Sequence, residues 1–212
     1  MTEIQNTVRT TLAHLIATHD RDRAVRYALE VVGSNTITIP ALYDTLADLL
    51  VDIGAAWQAG EAEVWQEHYV TAVVRTIVEV CHVLVPDRMA RPNGHIVVLA
   101  TPPDEYHDLG LRMTADRFEL AGWRTHLLGA SVPAEQLVAA VRALDADAIV
   151  LSASTHFHRV ALASYAAELR AALPDVRLWV GGPAFARDAA DWPLAELLDP
   201  ARIPLLAAEW ED

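Results

Sequence analysis

Two hydrophobic patterns follow one another along this chain, and the change falls near position 87. Before it, apolar residues such as Val8, Leu12 and Leu15 recur every three or four positions, which predicts amphipathic helices. After position 94, short apolar runs alternate with helical segments, the pattern of parallel strands joined by helices. We therefore predict an all-α unit followed by an α/β unit.

The first unit is predicted to be a four-helix bundle over residues 1–86. Thr38 is a plausible helix cap with Pro40 in the first turn, and Pro86 stops the last helix. Short joints between helices favour antiparallel packing. The predicted helices lie around residues 8–16, 22–32, 38–60 and 61–85.

The second unit, residues 95–212, follows a polar, turn-rich linker at 87–94. It is predicted to be a flavodoxin-like or Rossmann-like doubly wound parallel sheet, so the loops after its first and third strands should converge on one crevice. The predicted strands are 95–101, 124–128, 146–153, 176–181 and a fifth near 203–206, and the predicted helices are near 108–121, 133–144, 157–173 and 184–198.

Composition excludes several classes of protein. The chain has 16 basic and 29 acidic residues and a net charge of −13, whereas nucleic-acid binders are usually basic. No apolar run reaches about 18 residues, so no membrane span is expected. The lone Cys81 and the lack of a signal-peptide pattern suit the cytoplasm.

Candidate chemistry is concentrated where the predicted strands end. Glu105 and His107 follow the first strand, and a carboxylate two residues before a histidine can orient one ring nitrogen and leave the other for a metal. Taken singly, His107 could instead be a solvated loop residue. Ser152 and Ser154 could simply end a strand, and Gly181-Gly182 could be only a turn. Their common position at the carboxyl ends of the sheet favours a binding site.

The order Glu105-x-His107-x-x-Gly110, Ser152-Ala153-Ser154, Gly181-Gly182 resembles the pattern of cobalamin-binding domains. The resemblance implies that His107 is the lower cobalt ligand and that Glu105 orients it. It also implies that Gly110 lets the nucleotide tail of cobalamin pass close to the backbone. Ser152, in the serine motif that also contains Ser154, would then bond the displaced base, and Gly181 and Gly182 would line its slot.

The helical unit is similar to that of CarH-type cobalamin photoreceptors, because Trp57 is followed after nine residues by Glu67-His68. Residues 109–113, Leu-Gly-Leu-Arg-Met, also look CarH-like. In that family the bundle caps adenosylcobalamin, the tryptophan packs on the adenosyl group, and the Glu-His pair lies beside it. The alternative is that Trp57 is a core residue and Glu67-His68 a solvated face.

The chain also departs from that family. Gln58 stands where CarH-type receptors have a histidine that caps cobalt after illumination, and no helix-turn-helix segment precedes the bundle, so direct DNA regulation is not expected. His156 and His158 could be ordinary loop residues or could touch a second ligand, such as the bilin of the related photocobilins.

The resemblance therefore predicts a cobalamin-binding light sensor and not an enzyme. Photolysis of the upper cobalt–carbon bond would alter the packing of bundle and sheet, and with it self-association or contact with an output partner. A homo-oligomer without nucleic-acid or membrane partners is expected. The alternative is a corrinoid carrier for methyl transfer, which has the same architecture.

Overall fold

The computed structural model describes residues 2–185, 192 and 194–210. The chain divides into two compact units, Met1–Asp87 and Arg88–Asp212. None of the helices in the described ranges is both long and apolar enough to span a membrane.

The first unit consists of four helices around an aliphatic core. Their side chains at helical spacing are buried, among them Leu12, Leu42 and Ile77. Thr2, Asp20 and Thr38 cap the first three helices through their side-chain oxygens. The four-helix prediction is confirmed, and the helices are α1 (Glu3–Ala17), α2 (Arg21–Gly33), α3 (Ile39–Gln58) and α4 (Val64–His82).

The fourth helix is shorter than the sequence pattern indicated. It begins at Val64, because Gly60 adopts a φ of +75° that ends the preceding helical path and Glu63 forms a capping box with Gln66. As a result Glu67 lies in the first turn of α4, where an acidic side chain interacts favourably with the helix dipole.

The second unit is a five-stranded parallel sheet in the order β2-β1-β3-β4-β5. This confirms the doubly wound, flavodoxin-like prediction. The strands are β1 (Ile96–Ala100), β2 (Arg124–Gly129), β3 (Ala148–Ser152), β4 (Arg177–Gly181) and β5 (Glu196–Leu197), and the helices are α5 (Leu109–Leu120), α6 (Ala134–Leu144), α7 (His156–Ala172) and α8 (Ile203–Leu206).

The prediction of a fifth strand at 203–206 is wrong, because this segment forms the short helix α8. Pro204 cannot donate a ladder hydrogen bond and is well suited to the first turn of a helix. The fifth strand is Glu196–Leu197, which falls inside the helix predicted at 184–198. That helix is therefore wrong at 196–197, while residues 186–191 and 193 lie outside the described residues.

Both faces of the sheet are covered by apolar side chains, and one of them carries an aromatic cluster. The ring centroids of Trp123, Trp179 and Trp210 are 5.4–5.9 Å apart, and Phe118 lies 5.3 Å from Trp123. Trp123 and Trp179 are almost completely buried. The strands that this cluster supports end at the loops that carry the candidate site.

Candidate functional site

The loop after β1 is tied to the loop after β2 by hydrogen bonds. Thr101 is fully buried, and its hydroxyl donates to the Glu105 carbonyl oxygen at 2.5 Å and accepts from the Ser131 N–H at 2.9 Å. Asp104 takes a left-handed φ of +66°, and its N–H donates to the Ser131 hydroxyl. These contacts fix the backbone on both sides of Glu105.

The Glu105 carboxylate is the buried centre of the site, with a side-chain exposure of 0%. Its Oε1 accepts from the backbone N–H of His107 at 2.9 Å, and its Oε2 accepts from the N–H and hydroxyl of Ser154 at 2.8 and 2.6 Å. Burial acts to raise the pKa of Glu105. The hydrogen bonds from Ser154 and His107 outweigh it, so the pKa lies below its ordinary value and the group is an anion.

His107 is held by this anion at one ring nitrogen. Its Nδ1 lies 2.6 Å from Glu105 Oε1, and because an ionised carboxylate only accepts, the proton is on Nδ1. The ring is 71% exposed, and Nε2 has no partner among the described residues. A neutral imidazole with a free Nε2 is the form that binds a metal ion.

Ser154 and Ser152 occupy different environments although they are two residues apart. Ser154 reaches Glu105, and its hydroxyl also lies 3.0 Å from His107 Nδ1. Ser152 ends β3 and faces Gly182: a Cβ on Gly182 would be 2.7 Å from the Ser152 hydroxyl oxygen and 2.4 Å from the Ala153 carbonyl oxygen. The structure therefore brings Ser154 to the histidine and places Ser152 against the Gly-Gly turn.

The three predicted glycines differ in what surrounds them. Gly182 has a φ of +99° and no space for a side chain, so the protein itself requires glycine there. A Cβ on Gly181 would meet only the Leu198 carbonyl oxygen, at 3.9 Å, and one on Gly110 would meet nothing within 4 Å. Gly110 therefore leaves open space beside the first turn of α5, and the protein does not fill it.

The chain that carries this geometry matches known protein families. Two family models described as B12 binding domain match residues 95–197 and 8–82, which together make up more than half of the chain. The chain belongs to the B12-binding family. The resemblance to cobalamin-binding domains seen in the sequence is confirmed.

One curated relative and one solved structure bear on the chain. The HTH-type transcriptional repressor CarH of Myxococcus xanthus is 39% identical over 150 residues, which are 69% of this chain and 48% of the repressor. The chain thus spans about half the length of that relative. The monomethylamine corrinoid protein of Methanosarcina barkeri superposes with a TM-score of 0.77 over 97% of this chain and 99% of that one. At 16% identity, this second likeness shows the fold alone.

The residues present fit a B12 cofactor on structural grounds. His107 presents an unshared Nε2 from a ring that is held in one tautomer, and open space lies beside Gly110. Two aromatic side chains in the loops that carry the site, Tyr106 next to His107 and Phe157 next to His158, are 68% and 73% exposed. Exposed apolar groups around a polar centre are typical of a ligand-binding surface.

Sequence reasoning missed one member of the site. His158, in the first turn of α7, places Nδ1 2.9 Å from Glu105 Oε2, and its side chain is only 15% exposed. The sequence pattern gave it as a loop residue or as a contact for a second ligand. The available signal was the predicted convergence of the loops after β1 and β3, which brings position 158 to Glu105.

In the first unit, the structure places Trp57 near the end of α3 and Glu67-His68 in the first two turns of α4, after a joint of five residues. Trp57 is 46% exposed and is therefore not a core residue. The His68 Nδ1 lies 2.5 Å from Glu67 Oε2, and the Thr71 hydroxyl donates to Glu67 Oε1 at 2.8 Å. The His68 side chain is 73% exposed, whereas that of Glu67 is 28% exposed.

Proposed function

We propose that this protein is a cobalamin-dependent light sensor in which His107 is the lower ligand of cobalt. The observation that carries the proposal is the Glu105–His107 pair, a buried carboxylate that holds an exposed imidazole with Nε2 free. Ser154 completes the support by donating twice to the same carboxylate. Similarity to the repressor CarH supports a regulatory role over an enzymatic one.

The upper ligand is proposed to be adenosyl, with Trp57, Glu67 and His68 as its contacts. When bound, adenosylcobalamin supplies a cobalt–carbon bond that visible light breaks. The half-exposed Trp57 offers an apolar surface for an adenine ring, and Glu67-His68 offers hydrogen-bonding groups. The response of the chain is a shift between conformations that differ in these contacts, which changes self-association or contact with an output partner.

A bilin as a second chromophore has little support in the site. Of the polar residues at 155–159, His158 contacts Glu105 and Arg159 lies over the Phe185 ring at 5.2 Å. The proposal therefore requires cobalamin alone, and reconstitution with a bilin is a separate test. A new visible absorption band in the protein–bilin mixture would indicate that the protein binds a bilin as a second chromophore.

Illumination of the loaded protein tests the proposal. The protein is loaded with adenosylcobalamin in the dark, and its visible spectrum and size-exclusion elution are recorded before and after exposure to green light, with the methylcobalamin complex as a control. We expect a spectral change together with a change in elution. A loaded protein whose elution is the same in both states, and which accepts a methyl group from a donor with its methyltransferase, would instead be a corrinoid carrier.

A further inference from the structure

Thr101 is a buried residue whose backbone is fixed by the sheet. It follows β1 directly, and its side chain is completely buried. Its N–H donates to the Gly129 carbonyl oxygen at 2.9 Å, and its carbonyl oxygen accepts from the Val132 N–H at 3.0 Å. These bonds continue the pairing of β1 with β2 beyond the last residue of β1. The Thr101 side chain therefore starts from a position that the strand ladder fixes.

The hydroxyl of Thr101 joins two loops at the Glu105 carbonyl oxygen. It donates to that oxygen at 2.5 Å and accepts from the Ser131 N–H at 2.9 Å. The Ser131 N–H also donates to the Glu105 carbonyl oxygen, at 3.1 Å. Of these two donors to the carbonyl oxygen, Thr101 is the nearer, and it is the one that the end of a strand supports.

The backbone that Thr101 contacts carries the side chain that holds His107. Glu105 Oε1 accepts from the His107 N–H at 2.9 Å and lies 2.6 Å from Nδ1 of its ring. Glu105 Oε2 accepts at 2.8 Å from the Ser154 N–H, in the loop after β3. A movement of the Glu105 backbone would therefore change the geometry of the carboxylate toward both residues. Which nitrogen of the His107 ring carries the proton is set by the hydrogen bond that Nδ1 makes, so this geometry determines whether Nε2 is free.

We propose that Thr101 is a positioning residue, whose hydroxyl fixes the Glu105 backbone and thereby keeps His107 in the tautomer with a free Nε2. Without this hydroxyl the Glu105 carbonyl oxygen keeps only the longer bond from the Ser131 N–H, so the loop is loosened and not released. The positioning role rests on the proposed function, because a cobalt ligand requires the free Nε2. Thr101 lies outside the motif that begins at Glu105 and acts on the ligand from four residues before that glutamate.

Three substitutions of Thr101 vary the contact in steps. Thr101→Ser keeps the hydroxyl, and Thr101→Ala removes it. Thr101→Val places a methyl group where the hydroxyl is, 2.5 Å from the Glu105 carbonyl oxygen. Because a carbon atom and a carbonyl oxygen rarely approach closer than about 3.3 Å, valine displaces the Glu105 backbone in addition to removing the hydrogen bond. The effect on His107 is therefore expected to increase from serine through alanine to valine.

The first experiment uses the cofactor-free protein, so it does not depend on cobalamin binding. Long-range ¹H–¹⁵N NMR of ¹⁵N-histidine-labelled protein at about pH 8, where histidines are mostly neutral, reports the protonated nitrogen of each ring. We expect His107 to be protonated at Nδ1 in the unmodified chain and in Thr101→Ser. In Thr101→Ala and Thr101→Val we expect an Nε2-protonated fraction of His107 to appear.

A control variant separates positioning from a general loss of stability. Leu169→Ala removes a buried side chain from α7 and should destabilise the chain at least as much as Thr101→Ala, without changing His107. The proposal is overturned by a His107 ring protonated at Nε2 in the unmodified chain. It is also overturned by an unchanged His107 tautomer in both Thr101→Ala and Thr101→Val, or by a shift of equal size in Leu169→Ala.

The second experiment measures cobalamin binding by titration. We expect the dissociation constant to rise about tenfold in Thr101→Ala, as when other residues that support a metal ligand are removed, and to rise further in Thr101→Val. The visible and EPR spectra should show a smaller fraction of imidazole-bound cobalamin in these two variants, whereas Thr101→Ser and Leu169→Ala should match the unmodified protein. Binding and spectra that are unchanged in both Thr101→Ala and Thr101→Val would overturn the proposal.

Failure of the proposed function would give a different result. Loss of light response with an intact imidazole signature in the unmodified chain would contradict the light sensor and leave the positioning role of Thr101 standing. An unmodified chain whose bound cobalamin has no imidazole signature would contradict His107 as the lower ligand. The NMR comparison of the cofactor-free variants decides independently whether Thr101 sets the tautomer of His107.

Discussion

Each unit contains a carboxylate that is hydrogen-bonded to a histidine, and the distance from carboxylate oxygen to Nδ1 is almost the same in the two pairs. Glu105 Oε1 and His107 Nδ1 are 2.6 Å apart, and Glu67 Oε2 and His68 Nδ1 are 2.5 Å apart. The Glu105 side chain is completely buried, whereas Glu67 is 28% exposed. Distance alone therefore does not distinguish the two pairs, and the burial of the carboxylate does.

The difference in burial has a physical consequence for how easily each pair breaks and re-forms. An exposed pair exchanges easily with water and contributes little, because solvent screens the attraction and two side chains lose freedom. A buried carboxylate must keep its donors, since an unpaired buried charge is strongly destabilising. The Glu105–His107 pair is therefore held more firmly by its surroundings than the Glu67–His68 pair.

Removal of each carboxylate should give the largest contrast. Glu105→Ala leaves the Ser154 N–H and the His107 N–H without their acceptor, so we expect the free energy of unfolding to fall by about 3 kcal/mol. Glu67→Ala should cost less than about 1 kcal/mol. Urea unfolding of both cofactor-free variants measures this, and equal losses would show that burial does not separate the two pairs.

The next contrast concerns the two histidines. His107→Ala should weaken cobalamin binding about 100-fold or more and replace the imidazole-bound spectrum by that of base-on or water-ligated cobalamin, because the lower ligand is lost. His68→Ala should leave the lower-ligand spectrum unchanged. Visible and EPR titrations provide the measurement. If His107→Ala kept the imidazole signature, the lower ligand would be another residue.

Two glycines show the same contrast between a crowded and an open position. Gly182→Ala should lower the free energy of unfolding by about 2 kcal/mol, because its Cβ would collide with the Ala153 carbonyl oxygen at a left-handed φ. Gly110→Ala should stabilise the cofactor-free protein by up to about 1 kcal/mol, because alanine favours a helix. It should nevertheless weaken cobalamin binding if the nucleotide tail uses that space.

The pair of glycine variants is measured by urea unfolding without cofactor and by titration with cobalamin. Gly110→Ala that binds cobalamin as tightly as the unmodified chain would remove Gly110 from the site.

The smallest effect on stability is expected at Trp57. Trp57→Ala should change the free energy of unfolding by less than about 1 kcal/mol, because the side chain is already 46% exposed. It should reduce the preference for adenosylcobalamin over methylcobalamin, which paired titrations measure. An unmodified protein that binds both cofactors equally would contradict the proposed role of Trp57.

Sequence pattern was enough for the architecture because long periodic segments and buried parallel strands have strong signatures. It failed at β5, since Glu196–Leu197 is a two-residue edge strand with both side chains exposed and has no hydrophobic pattern. It misread Ile203–Leu206 because a four-residue apolar run fits a strand as well as a helical turn. Pro204, the second residue of this run, was the evidence against a strand.

The candidate site could be predicted from the sequence where its residues belong to one short motif. Glu105 and His107 are two residues apart, so their contact follows from local geometry. The contact between Glu105 and His158 joins positions 53 residues apart and depends on how the first turn of α7 is rotated. Strand order predicts that the two loops meet, but it does not predict which of the side chains in the second loop turns inward.

The aromatic cluster of the second unit also makes the protein its own optical probe. Trp123 and Trp179 are shielded from water and should emit at shorter wavelengths than Trp57 and Trp65 of the first unit, which are 46% and 54% exposed. Fluorescence recorded at the short-wavelength edge of the emission band during denaturation therefore reports mainly the melting of the second unit, without any attached dye.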